Sequence, residues 1–342
     1  MQFAKHLKPL DIMSYFKYHT IMRNSLIDKR HEILVGLGGL PEPEVTNEEW
    51  LYLLKEETRN SILIEGVFIS EDELEEVLSK GVSLKKNQQE ALNYYRAAKY
   101  FYEMAYQNYK TGELMFSLSI IRQINKMLYE GIKTGGDYRK GDVKIIGAKL
   151  IPPASHVIEE WLSVYKKYIE EALNSEVFMR FLAIQHVLFE VIHPFEDCNG
   201  RTGRIVLNYL LLSKGYPIII LKGDDENRER YYRSLEQGDK ALNKLTRAEF
   251  EKNLIRKSLD AMNVDKIRAL MQDALRVSID RILVKLYETK KGIIAQPAKD
   301  VASALRYAPD SMRTLINRGK FIAVKRGKEW FTHEKLELKK EK

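Results

Sequence analysis

The 342-residue chain is 44% hydrophobic and 30% charged, a balance that fits a globular protein and excludes a disordered or collagen-like one. Its one cysteine, Cys198, rules out an intrachain disulfide and any multi-cysteine metal centre, and a reducing cytoplasmic setting is expected. The net charge of +8 is uneven: from Lys299 to Lys342, 12 Lys and Arg face 6 Asp and Glu, so an anionic partner is sought there first, although a solubilising basic tail has the same composition.

The length suits two or three domains. The first twenty residues carry charges throughout and lack the apolar run of a signal peptide; no stretch approaches the roughly 18 apolar residues of a membrane span. No membrane partner is expected. Apolar spacing predicts a helix over 11–34, broken by GLGGLPEPEV at 36–45. A second helix, 46–66, has Thr46 as N-cap, Glu49 three residues on and Gly66 as stop. A third, 70–81, is capped by Ser70 with Glu73. Amphipathic helices follow at 86–108 and 116–132. The pattern then changes: 143–146 alternate, Gly147–Ala148 reads as a turn, and a second short run stops at Pro152–Pro153, predicting a small β-hairpin. Helices resume to residue 192, and the fold class is mostly α.

The C-terminal part reads as separate. A connecting helix spans 265–292, and 297–336 reads as helix, turn, helix and hairpin, with Ala302, Leu305, Met312, Leu315 and Ile316 as its small core. FIAVKRGKEWF has the alternation and Arg-Gly turn of a two-stranded wing, so the module resembles a winged helix-turn-helix. Its second helix, about 310–318, would turn Arg313, Asn317 and Arg318 to a DNA groove; such modules also serve protein contact or a homodimer, and both stay open.

The densest chemistry is HPFEDCNGRTGR, residues 193–204, between the apolar helices 180–192 and 204–215. A helix starting near Asn199–Gly200 presents unpaired N–H groups and the positive end of its dipole, which suits phosphate. Arg201 and Arg204, three apart, share one face of its first turn. Asp197 could hold Mg²⁺ against phosphate oxygens, and His193 could act as a base near neutral pH. Together they point to nucleotidyl or phosphoryl transfer.

This stretch resembles the Fic family signature, His-x-Phe-x-Asp/Glu-Gly-Asn-Gly-Arg-x-x-Arg, at His193, Phe195, Asp197, Asn199, Gly200, Arg201 and Arg204, with Cys198 in place of the first glycine. The flanks HVLFEVIHPF and GYPIII agree, and the likeness covers roughly 45–255. It implies a Fic-type helical bundle whose flap is the hairpin at 143–152, beside the C-terminal winged module. The implied domains are an N-terminal helical region (1–90), a catalytic core (91–260), and a connecting helix with the winged module (261–342).

The implied activity is transfer of AMP from ATP to a Ser, Thr or Tyr hydroxyl of a target protein or of the chain itself. By resemblance, His193 takes the hydroxyl proton, Asp197 holds Mg²⁺, and Phe195 anchors the loop. Backbone amides around Cys198, Asn199, Gly200 and Arg201, with the Asn199 side chain, steady the α-phosphate; Arg201 and Arg204 serve the outer phosphates. SILIEG, Ser61 to Gly66, matches the family's inhibitory pattern, which implies that Glu65 pairs with Arg204 where the γ-phosphate belongs; Glu65 could also hold water for removing AMP. Tyr231 and Tyr232 fit either the adenine pocket or core packing, and His186 fits a structural hydrogen bond. The alternatives are a nucleotide-sensing, DNA-binding regulator of the same fold and a Fic enzyme using another nucleotide or phospho donor.

Overall fold

The computed structural model describes residues 26–338, apart from 45–46, 84, 114, 146–147 and 174–177. Most of the helix expected over 11–34, together with Thr46 and Gly147, therefore lies outside the described residues. The chain opens with α1 (Leu26–Gly36), α2 (Glu48–Ile64), α3 (Glu71–Lys80), α4 (Lys86–Thr111) and α5 (Leu118–Leu128). It continues with α6 (Ile158–Leu173), α7 (Phe178–Ile192), α8 (Asn199–Ser213), α9 (Asp225–Asp239), α10 (Lys252–Asp260) and α11 (Asp265–Lys291). It ends with β1 (Gln296–Pro297), α12 (Ala298–Ala304), α13 (Pro309–Asn317), β2 (Val324–Arg326) and β3 (Glu329–Thr332). None of the described helices is long and apolar enough to cross a membrane.

The cap chemistry explains several boundaries. Ser70 caps α3 by accepting from the Glu73 N–H at 3.1 Å, and Gly81 closes it in the left-handed conformation. Asn47 fills the N-cap expected at Thr46: its side chain accepts from the Trp50 N–H, and Glu48 and Glu49 supply first-turn acids that suit the helix dipole.

By internal contacts the chain forms two compact units, one of residues up to Pro41 with those from Leu275 onward, the other Glu42–Ala274. The larger unit is built around α8, buried along nearly its whole length because its residues from Ile205 to Leu212 are almost entirely apolar. α4, α5 and α7 pack on α8, α2 packs on α4 and α8, and α6 backs α7. In the smaller unit, α12 packs on an antiparallel sheet of order β1–β3–β2, with Val324 opposite Phe331 and Gln296 opposite Thr332, and α13 packs on α12. Ala302, Met312, Ile316 and Phe321 form its core, and Leu305 and Leu315 cover the edge half-buried. Gly327 takes φ +61 at the tight turn joining β2 to β3. The fully buried Arg30 of α1 donates to Asp280 at 2.6 Å and to the Gly319 and Phe321 carbonyls, joining α1 to this unit.

The hairpin expected over 143–152 does not form among the described residues: 143–145 and 148–153 hold no strand. Pro152 and Pro153 remove two donors, and a two-stranded ladder without a third strand or a buried face is marginal. The Ala148 N–H instead closes a local turn on the Ile145 carbonyl at 3.2 Å.

Candidate active site

α7 is apolar on nearly all sides and ends at Ile192, delivering the chain into the loop His193–Cys198. Two loop residues take left-handed backbone angles that side chains with a Cβ disfavour: His193 at φ 48 and Cys198 at φ 63. Such angles persist only where the surroundings over-determine them. The Asn199 amide donates to the Phe195 carbonyl and accepts from the Phe195 N–H, both at 2.9 Å. Asn199 is thus engaged with the loop itself, while the buried Phe195 ring packs near Tyr138. Asn125 of α5 donates to the Asp197 carbonyl and accepts from the Gly136 N–H.

Arg139 ties this loop to the segment 141–153. Its backbone N–H donates to the Pro194 carbonyl, and its buried guanidinium donates to His193 O at 2.9 Å, Gly141 O at 2.9 Å and Pro153 O at 2.5 Å.

His193 Nδ1 lies 3.3 Å from the Glu190 carbonyl. With Nδ1–H donating there, Nε2 keeps its lone pair. Burial pulls the imidazole pKa down to about 4, so the ring is neutral at pH 7 and able to accept a proton. Cys198 is the N-cap of α8; burial pushes its thiol up to about 11, so it stays protonated and unreactive near neutrality.

The two arginines leave the first two turns of α8 toward different helices. Arg204, fully buried, donates Nε to Ser61 Oγ at 2.6 Å, and Nη2 to Ser61 O at 2.8 Å and Glu65 Oε1 at 2.6 Å. Burial opposes its charge most strongly, but the Glu65 carboxylate, together with Tyr231 and Tyr94 beside it, outweighs this and holds the guanidinium firmly protonated. Glu65 is the C-cap of α2, and Gly66 turns the chain away at φ 82. A Cβ on Gly200 would collide with Glu65 Oε1 and lie 2.9 Å from Arg204 Nη1, so the carboxylate sits directly over the first turn of α8, where an anion is favoured. Arg201 Nη1 donates to Glu90 Oε2 of α4 at 2.6 Å.

Residues 115–211 match the Fic/DOC family profile. The chain is 32% identical over 294 residues to the probable protein adenylyltransferase aq_aa38 of Aquifex aeolicus, covering 84% of this chain and 87% of that protein. The chain belongs to the Fic/DOC family. It is also 35% identical over 103 residues to the protein adenylyltransferase Fic of Aedes aegypti, a match spanning 29% of this chain and 19% of that protein. Two solved Fic structures share the fold. One is a Fic domain-containing signalling protein from Bacteroides thetaiotaomicron (TM-score 0.59, 20% identity, 75% of this chain and 96% of that one). The other is a Fic family protein from Desulfovibrio desulfuricans (TM-score 0.51, 17% identity, 98% of each chain).

Within this Fic fold, the tyrosines of α9 divide. Tyr231 is 1% exposed, and its hydroxyl lies 2.8 Å from His186 Nε2, which places it in the packed interior. Burial takes His186 down to about 3, so it is neutral, and the structural hydrogen bond expected of it is present. Tyr232 is 45% exposed, and its hydroxyl donates to the Ile64 carbonyl at 3.1 Å, at the end of α2 beside Glu65. Asp197 is a solvent-facing acid of the loop, as is its neighbour Glu196: its side chain is 62% exposed, and its Oδ1 accepts from the Cys198 N–H at 2.6 Å. An exposed carboxylate beside a helix start, where an anion is favoured, suits Mg²⁺, which usually takes one or two protein carboxylates and completes its shell with water and phosphate.

Sequence reasoning passed over Glu90, Asn125 and Glu57. Glu57 is buried one turn before Ser61 and accepts from Tyr94 at 2.5 Å; burial takes its pKa up to about 7. Each is an isolated polar residue on an amphipathic helix, and no local pattern separates it from a solvated one.

Proposed function

We propose that the chain is a protein adenylyltransferase that moves AMP from ATP to a hydroxyl of a protein, and that α2 holds it inhibited. The observation that carries the reading is the start of α8: a neutral His193 whose Nδ1 faces the Glu190 carbonyl leads into it, and two buried arginines three residues apart leave its first two turns. The name of the Aquifex relative supports the same activity.

In the proposed reaction the target Ser, Thr or Tyr hydroxyl gives its proton to His193 Nε2, its oxygen bonds to the α-phosphorus, and pyrophosphate leaves with the bridging oxygen's electron pair. The backbone N–H groups at the start of α8 steady the charge on the α-phosphate. Asn199 contributes by fixing that turn through its two bonds to Phe195. Arg201 grips the outer phosphates. Asp197 would hold Mg²⁺, whose charge offsets that of the triphosphate. Tyr232, at the end of α2, is the better placed of the two tyrosines for contact with a nucleotide base.

Inhibition follows from charge and space. Glu65 holds Arg204 and places a carboxylate over Gly200, where a terminal phosphate would otherwise sit. The same acid, displaced toward solvent, could orient water for removal of AMP. We read the chain functionally as an N-terminal region carrying the inhibitory helix (1–90), a catalytic core (91–260), and a connecting helix with a winged helix-turn-helix (261–342). The exposed Arg313, Asn317 and Arg318 on and just after α13 favour nucleic-acid contact by that module, as a role added to catalysis.

The test is incubation of wild type, Glu65→Gly and His193→Ala with Mg²⁺ and a panel of nucleoside triphosphates, followed by mass spectrometry. Glu65→Gly should gain AMP groups from ATP well above wild type, and His193→Ala should gain none. Equal labelling of wild type and Glu65→Gly would remove the inhibition. Absence of any adduct in every protein would favour the regulator, and an adduct from another nucleotide would change the donor.

A further inference from the structure

Arg201 and Arg204 lie three residues apart, but their surroundings differ. Arg204 has three hydrogen bonds to α2, through Nε and Nη2. Arg201 has one strong partner, Glu90, on the second turn of α4. Both members of the Arg201–Glu90 pair are nearly buried, with side chains 9% and 10% exposed. Lys86 Nζ lies 3.8 Å from the other Glu90 oxygen, which places a second positive charge beside the carboxylate.

The donors of Arg201 are unequally used. Nη1 is held by Glu90 at 2.6 Å. Nη2 lies 3.8 Å from Asp197 Oδ1, too long for a hydrogen bond. Nε is buried and has no partner. A buried N–H left unpaired destabilises the fold, so its retention needs a use. Nε and Nη2 form the side-on edge of a guanidinium, the edge that takes a phosphate through two parallel bonds. One edge of Arg201 is thus fixed by a carboxylate, and the adjoining edge is kept without an acceptor beside the start of α8.

We propose that Glu90 is the positioning residue of Arg201: by holding Nη1 it presents the Nε–Nη2 edge to the terminal phosphates of a nucleotide. The contact is compatible with a bound nucleotide, because it uses a different edge from the one offered. Glu90 therefore acts in the opposite sense to Glu65, which occupies its arginine's donors and covers the phosphate position. The inference rests on the reading of Arg201 as the grip on the outer phosphates.

The experiment uses the full-length chain in the Glu65→Gly background, with Mg²⁺, and measures binding of ATP and of AMP by calorimetry. Arg201→Ala tests the underlying reading: it should weaken ATP and leave AMP nearly unchanged, since AMP lacks the outer phosphates. Glu90→Ala should weaken ATP about tenfold, the size of one charge-assisted contact, again with little effect on AMP. Glu90→Gln, which keeps the shape and one acceptor, should fall between and guards against misfolding of the alanine variant. The double variant Arg201→Ala/Glu90→Ala should bind ATP no worse than Arg201→Ala alone. If Arg201→Ala weakens ATP but both Glu90 variants bind it as the parent does, or more tightly, the positioning role is wrong. If Glu90 variants weaken ATP and AMP equally, Glu90 serves only structure. If Arg201→Ala keeps the preference for ATP over AMP, the reading of Arg201 itself fails, and the role of Glu90 with it.

Discussion

The loop His193–Cys198 and the segment Asp142–Pro153 both hang on Arg139, yet they are built by opposite means. The loop accepts two left-handed residues and fixes them with side-chain bonds from Asn199, Asn125 and Arg139. The segment keeps ordinary backbone angles among its described residues, has no strand, and is tied near its ends: Arg139 holds the Gly141 and Pro153 carbonyls, and Asp142 accepts from the Ser155 N–H at 2.7 Å. Its Lys144 and Lys149 are exposed. A turn that carries the proposed base into a helix start is over-constrained, whereas the segment is anchored at its ends and exposes two lysines between them.

The sharpest way to break this contrast is Arg139→Leu, which removes the element common to both. The His193, Gly141, Pro153 and Ile192 carbonyls lose a charged donor, and unfolding in urea should show a loss of about 3–5 kcal/mol. A loss under 1 kcal/mol would mean that the two regions are held independently of Arg139. Asn199→Ala touches only the loop and should cost about 2–3 kcal/mol, from two buried bonds to Phe195, together with most of the AMP transfer.

The pH dependence isolates the loop's base. Because burial holds His193 at about 4 against an ordinary value near 6.5, transfer by the Glu65→Gly protein should be insensitive to this group from neutrality down to about pH 5, and fall as the ring protonates. In stability the sign is fixed by the lowered pKa. The unfolded chain takes up the proton first, so wild type should lose stability relative to His193→Gln as pH falls from 6.5 to 4, with no such divergence above 7. Chemical denaturation across that range would show the divergence or its absence.

Cys198→Gly should have a smaller effect. Relief of the left-handed Cβ, worth about 1–2 kcal/mol, opposes loss of a buried thiol's packing, so stability should change by less than about 1 kcal/mol. Smallest of all is Lys149→Ala in the open segment, where the ion pair to Glu236 is exposed on both sides and the melting temperature should not move.

Much of this was legible in the residues. Ser70 with Glu73, Gly66, Gly81 and the start of α8 at Asn199 follow from capping and turn chemistry that act over three or four residues. Ser61 and Glu65 fall on one helix face by spacing alone, and that face meets Arg204. The segment 143–152 misleads because alternation records which side chains could share a face, not whether a third strand exists to complete the ladder. Glu90 stayed hidden for another reason. Its partner lies 111 residues away along the chain, and a lone charged residue on an amphipathic helix looks solvated until the fold brings its partner to it.

The position of Glu65 at the end of α2, and not within it, has a consequence for how such control is written into a gene. A cap residue's direction is set by the count of residues before it. Each added residue turns the carboxylate by about 100° and advances it by about 1.5 Å. One alanine inserted between Ser61 and Glu65 would keep every side chain of the contact and still aim the acid away from Gly200. The proposed repression is then a matter of phase, so a three-nucleotide insertion should release it as fully as loss of the glutamate.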